Sequence, residues 1–227
     1  VLASLPSSAS IHDYEHLAKS VAEANMNVLY TEKDEPQMLY DAAERYGIYV
    51  RKMPPLASVE TLSVLPSPPS MSSVLSFAPL RADLSLSSPV MEAHEAEKGD
   101  CRRIEEITTE NFRLPSTFEK GTYLSELYAA LDAADKVSRI RARREAEGII
   151  LRTLNDKKPQ IAGTLIESSG KWKIPMYAAR LFFAPVCPLM FIEGDTLFIY
   201  VANDSDEDIK AELSLKFRTF EGKKKDS

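Results

Sequence analysis

The chain has 227 residues, 44% of them hydrophobic, enough to line a core of ordinary size in one large domain or two small ones. A formal charge of −6 argues against nucleic-acid binding driven by bulk charge, and no apolar run reaches the ~18 residues of a membrane-spanning helix. Cys101 and Cys187 are too few for a disulfide framework or a zinc site and read as free thiols, which leaves the redox compartment open.

Residues 1–10 are Ser-rich and irregular, without the basic and apolar regions of a signal peptide. A chain that does not open on Met reads as processed, trimmed or excised. Ser10 is a candidate N-cap for a helix on which Tyr14, Leu17, Ala18, Val21 and Ala22 recur at helical spacing. Residues 25–30 read as a short strand. Pro36 then opens a helix that places Met38, Leu39, Ala42 and Ala43 on one face and reaches its C-cap at Gly47. Residues 48–50 are the next strand. Strand, helix and strand at this spacing predict a parallel sheet with right-handed crossovers.

Between Met53 and Pro89 repeated prolines and serines interrupt any long helix. The stretch reads either as a linker or as irregular chain holding two short buried strands at 73–77 and 84–86. Residues 92–100 are acidic and solvated, residues 104–109 a further strand, and residues 110–116 a loop leaving the sheet.

The clearest helix is expected over residues 122–147, with Leu124, Leu127, Tyr128, Leu131, Ala134 and Val137 as its apolar stripe and Gly148 ending it. Arg139, Arg141, Arg143 and Arg144 near its end read as complements to the helix dipole rather than as a nucleic-acid patch, since Glu145 and Glu147 dilute them. A buried strand begins at Ile149, followed by an exposed loop with Asn155 and Asp156, a short loop with Trp172, and an amphipathic helix ending at Pro185. Residues 189–191, 196–201 and 209–217 alternate in polarity and read as antiparallel strands opening a sandwich, which puts a domain boundary near residues 184–188. Asp204, Asp206 and Asp208 lack the glycine and terminal glutamate of a calcium loop and read as a solvated turn. His12 and His16 are four apart on a helix without a third ligand, and no Gly-rich phosphate loop occurs.

These segments together resemble the β-mannosidases, within the β-galactosidase/β-mannosidase group of glycoside hydrolases. Asn25-Met-Asn27 resembles that family's barrel-strand signature, and Leu39 to Val50 resembles its "YDLCDELGILVW" segment. Leu154-Asn-Asp156, Gly170-Lys-Trp-Lys173 and Ala179 to Val186 resemble its "WQLND…GRWK…ARRFFAPV" region. The resemblance is strong over residues 121–217, moderate over 11–50 and poor between. It implies an α/β fold: a shortened or incomplete (β/α)8-type barrel over residues 1–186, irregular at 53–100, followed by an antiparallel, immunoglobulin-like sandwich segment over 187–227.

A retaining glycosidase needs two carboxyl groups ~5–5.5 Å apart. The stretch Thr109 to Ser116 resembles the family's "SEFGFQSLPS" nucleophile segment, which implies Glu110 as nucleophile at the carboxyl end of a strand. Residues 73–82 resemble its "SVVLWSGNNE" acid/base strand, with Ala82 in place of the glutamate and Asp83 as the substitute one position on. Asn155, Asp156 and Trp172 are the substrate-binding positions that the resemblance implies. Other site positions depart from the family. Leu29 to Lys33 stand where an Arg-Val-Trp-Gly-Gly run belongs, Arg152-Thr153 where Trp-Gln belongs, and Val50 to Met53 where Val-Trp-Gln-Asp belongs.

Two functions follow. One is a β-mannosidase-like relative with impaired or lost catalysis, acting as a carbohydrate-binding, regulatory or assembly component. The other is an active retaining β-mannoside hydrolase. No cofactor or metal is expected, and neither nucleic acid nor membrane is an expected partner. Carbohydrate is a partner where the site survives, together with other domains or subunits of a larger protein.

Overall fold

A computed structural model describes residues 11–52, 72–76, 109–113, 116–144, 148–156, 164–219 and 221–223. The expectations for Ser10, Asp83, Cys101 and residues 84–86, 92–100 and 104–108 lie outside them.

Helix α1 spans Ile11–Glu23 and buries Tyr14, Leu17, Ala18 and Val21, the positions its spacing predicts. Strand β1 (Val28–Thr31) leads into helix α2 (Gln37–Arg45), which follows Pro36 and buries Leu39, Ala42 and Ala43. The turn after α2 closes with Gly47 at φ +69°, a conformation open to glycine at little cost. Strand β2 (Tyr49–Lys52) then pairs in parallel with β1, Val28 against Tyr49 through Thr31 against Lys52. Strand β3 (Ser72–Ser76) forms within the Pro/Ser-rich stretch and pairs in parallel with β4 (Gly148–Arg152).

Helix α3 runs from Phe118 to Arg143, starting earlier than expected because Thr117 caps it, its Oγ1 accepting from the Lys120 amide at 3.3 Å. Arg144 ends it in a left-handed conformation at φ +53°. The expected apolar stripe requires correction. The buried face is Thr122, Ser125, Glu126, Ala129, Ala130, Ala133 and Val137, whereas Leu131 is 60% exposed. Small side chains let α3 pack closely on helix α4 (Ile174–Phe182), and bulkier ones sit at the flank.

One apolar core joins α1, β1, α2, α3, β4 and α4, with Leu29, Leu39, Val137, Leu151, Leu154, Ile166 and Met176 among its buried members. Outside that cluster, β5 (Val186–Glu193) and β6 (Thr196–Asn203) form an antiparallel hairpin. Its inner face buries Cys187, Leu189 and Phe191 toward α3, and Phe191 stacks on Phe198 and Tyr200 at centroid distances of 5.4 and 5.9 Å. Residues 209–217 were expected as a third strand, but they pair with no strand among the described residues, and Ile209, Leu213, Leu215 and Phe217 are exposed. Alternation supplies a strand pattern, but a strand also needs a neighbour to complete its ladder.

The arginines at the end of α3 do more than face its dipole: they fasten the hairpin. Arg139 donates to Asp135, to Glu193 at 2.8 Å and to the Ile192 carbonyl, and the Asp135 hydrogen bond raises its pKa further. Arg143 pairs with Glu193, and the Arg139 and Arg143 guanidinium groups lie 4.9 and 5.5 Å from the Phe191 ring centroid. Arg141, more enclosed, donates to the Phe182 and Ala184 carbonyls, to Cys187 Sγ at 3.1 Å and to the Asp204 carboxylate.

Candidate functional site

Past the carboxyl end of β4 the backbone folds into a closed stem. The Ile166 amide donates to the Leu154 carbonyl at 2.8 Å and the Asp156 amide to the Ile166 carbonyl at 3.0 Å, so residues 154–156 run beside 165–167. Ile166 in turn bridges antiparallel to Trp172, and the Lys173 amide donates to the Leu165 carbonyl at 2.9 Å. Gly170 makes the turn at φ +85°, where an added Cβ would meet the His16 ring at 3.4 Å.

This stem places Asn155 and Asp156 inside the molecule, at 8% and 4% exposure, rather than on the exposed loop that the sequence predicts. The Lys173 ammonium, fully buried, donates to Asp156 Oδ2 at 2.6 Å and to Thr164 Oγ1 at 2.7 Å, and the Thr164 hydroxyl donates to the same carboxylate oxygen at 2.8 Å. Enclosure makes these contacts matter, because a buried charge cannot fall back on water. Chemically the cluster is a buried strut in which the carboxylate accepts from an internal ammonium and a hydroxyl.

Trp172 is half-buried. Its indole Nε1 donates to Ser20 Oγ of α1 at 2.9 Å, and its ring lies 5.1 Å from Tyr177 at a tilt of 59°. It thus ties α1 to the start of α4. Two carboxylates missed by the sequence reading are also buried here. Glu126 accepts from the Ile174 amide at 2.9 Å, a negative charge at the N-terminus of α4, and Glu167 accepts from the Ser169 hydroxyl at 2.8 Å. Glu126 had one signal, its helical spacing with Thr122 and Ala129. Lys173 had only its place in a motif.

Glu110 is exposed, in a helical turn formed by residues 109–111. Asp83 lies outside the described residues, as does Ala82, and nothing is described of the Arg152 side chain. Of the five expected site residues, the structure brings Asn155, Asp156 and Trp172 into one stem. Among the described residues no cluster of His, Cys, Asp and Glu could hold a metal ion, and no helix is long and apolar enough to cross a membrane.

Comparison with known proteins finds similarity to β-mannosidases. The chain is 28% identical to the β-mannosidase of Capra hircus over 136 residues and 29% identical to that of Bos taurus over 124 residues. The crystal structure of the β-D-mannosidase from Dictyoglomus thermophilum superposes over 87% of the chain with a TM-score of 0.71. The chain is a β-mannosidase-like relative. At 13% identity the structural likeness is one of fold, and it covers 39% of the bacterial chain. The matched stretches are 54% and 48% of this chain but only 15% and 14% of the two mammalian β-mannosidases. No family model matches this β-mannosidase-like chain.

Proposed function

We propose that this chain is a β-mannosidase-like glycoside hydrolase relative with impaired or lost catalysis, which serves as a carbohydrate-binding, regulatory or assembly component. Its architecture on this reading is a shortened (β/α)8-type barrel portion over residues 1–186 joined to an antiparallel sandwich segment over 187–227. The parallel pairs β1/β2 and β3/β4, the crossover helix α2 and the β5/β6 hairpin support that division. Its partners on this reading are other domains or subunits of a larger protein, and carbohydrate where a sugar site survives.

The observation that carries the reading is the use made of Asp156. A carboxylate sealed against Lys173 and Thr164 is unavailable to a sugar, and Asn155 beside it is equally enclosed. Support also comes from the sequence, where Ala82 stands at the acid/base position and Arg152-Thr153 at a sugar-contact position. Removing one member of a mutually dependent catalytic pair costs orders of magnitude in rate. The opposing reading is an active retaining hydrolase with Glu110 as nucleophile and Asp83 as acid/base. It draws on the exposure of Glu110.

Hydrolysis of an aryl β-mannoside by the wild type and by Glu110→Gln decides between them. Equal, background-level release from both proteins is the expected result. Turnover by the wild type that disappears in Glu110→Gln overturns the non-catalytic reading.

A further inference from the structure

The β5/β6 hairpin has two apolar faces, and only one of them is covered. Successive strand residues point to opposite faces, so the alternation that buries Cys187, Leu189 and Phe191 turns Val186, Pro188, Met190 and Ile192 outward, and all four are exposed. Met190 pairs with Ile199 and Pro188 with Val201, so β6 continues the same apolar surface. Met190 is 55% and Ile192 62% exposed. A solvated sheet face is ordinarily polar, and a contiguous apolar patch marks an interaction surface.

A short turn further on, the chain carries a second uncovered apolar face. Asn203 ends β6 and holds that turn, its side chain donating to the Glu207 carbonyl at 2.9 Å and accepting from the Ser205 amide at 3.1 Å. From Ile209 to Phe217 every odd-numbered residue is apolar, and the even ones are Lys210, Glu212, Ser214 and Lys216. Laid out as a strand, the segment has one apolar and one polar face, and Ile209, Leu213, Leu215 and Phe217 are all exposed. The two surfaces match in length, since residues 209–217 extended reach ~30 Å and the eight-residue hairpin strands ~26 Å. Within one molecule both remain in water.

We propose that the outer face of the hairpin is covered by residues 209–217 of a second copy of this chain, exchanged reciprocally about a two-fold axis. The apolar face of each strand lies on the partner's hairpin, and its lysines and glutamate stay in solvent. One strand on one two-stranded face buries roughly 500 Å² counted over both surfaces, and reciprocal exchange doubles this to the ~1,000 Å² that a specific interface requires. A one-way contact leaves a free strand at one end and a free hairpin at the other, and so propagates into a filament instead of closing. This contact gives the assembly component proposed above its partner and rests on that part of the reading; loss of catalysis is read separately, by mannoside hydrolysis.

Analytical ultracentrifugation of the full chain over a range of concentrations is expected to show a dimer that dissociates on dilution. Two double variants locate the contact: Met190→Lys with Ile192→Lys on the hairpin, and Leu213→Lys with Leu215→Lys on the strand. Each is expected to raise the dimer dissociation constant by about tenfold or more. Far-UV circular dichroism should stay at the wild-type spectrum, because all four side chains are exposed. An equimolar mixture of the two variants should associate more tightly than either alone, since the mixed dimer restores one of the two strand-on-hairpin contacts. A monomer at every concentration, open-ended assembly, a strand variant that dimerises like the wild type, or a mixture no tighter than its components overturns the proposal.

Discussion

Two of the ion-paired tethers in this molecule work in opposite surroundings. At the Lys173–Asp156 strut both side chains are completely enclosed, whereas in the Arg141 tie the arginine is 11% exposed and Asp204 is 66% exposed. The strut joins segments within the shared core, and the tie joins that core to a hairpin whose buried residues form a separate patch. Removing a partner from the first strands a charge in the interior; removing one from the second lets water replace it. The same chemical pair can therefore fix a core in one place and only dock an appendage in another.

The largest expected effect comes from breaking the strut on one side. Lys173→Met is expected to lower unfolding free energy by about 3–5 kcal/mol, because Asp156 is left buried without its cation. Urea unfolding followed by Trp172 fluorescence measures it. A loss below ~1 kcal/mol would mean that water reaches the carboxylate and would erase the contrast between the two tethers.

Arg141→Ala is expected to be intermediate, at about 1.5–3 kcal/mol for charge-assisted hydrogen bonds to the Phe182 and Ala184 carbonyls and Asp204. The location of the damage sharpens the comparison. Amide exchange should accelerate in β5 and β6 and remain slow in β4, since the core does not depend on the hairpin's buried patch. Uniform acceleration would show that the two regions unfold as one.

Leu131→Thr is expected to fall within about ±0.5 kcal/mol, the range of ordinary surface substitutions, although the sequence places Leu131 on the buried stripe of α3. A thermal melt distinguishes these positions. A large loss would restore Leu131 to the core.

How much of this was legible follows the range of each interaction. Helix α2 could be bounded because Pro36 and Gly47 act on their own backbone, and the α1 face because Tyr14, Leu17 and Val21 repeat at helical spacing. The α3 face was misread because close packing selects Thr122, Ser125, Ala129 and Ala133, which hydrophobicity hardly marks. Asn155-Asp156 has the chemistry of an exposed turn. Its burial depends on Lys173 and Thr164, and nothing near residue 156 announces them. The strand pattern of residues 209–217 is real as a pattern, but pairing is a property of two segments. The β-mannosidase likeness was legible because motifs such as Leu154-Asn-Asp156 and Gly170-Lys-Trp-Lys173 persist even where their side chains turn inward.

The central claim is that Asp156 and Lys173 serve the fold through each other. A double-mutant cycle tests it most directly, with Asp156→Leu, Lys173→Met and the combined variant compared by urea unfolding. Each single variant should be strongly destabilised, and the pair of substitutions should recover much of the loss, giving a coupling of about 2–3 kcal/mol. Additive losses, with a coupling near zero, would contradict it and return Asp156 to the list of residues available to a substrate.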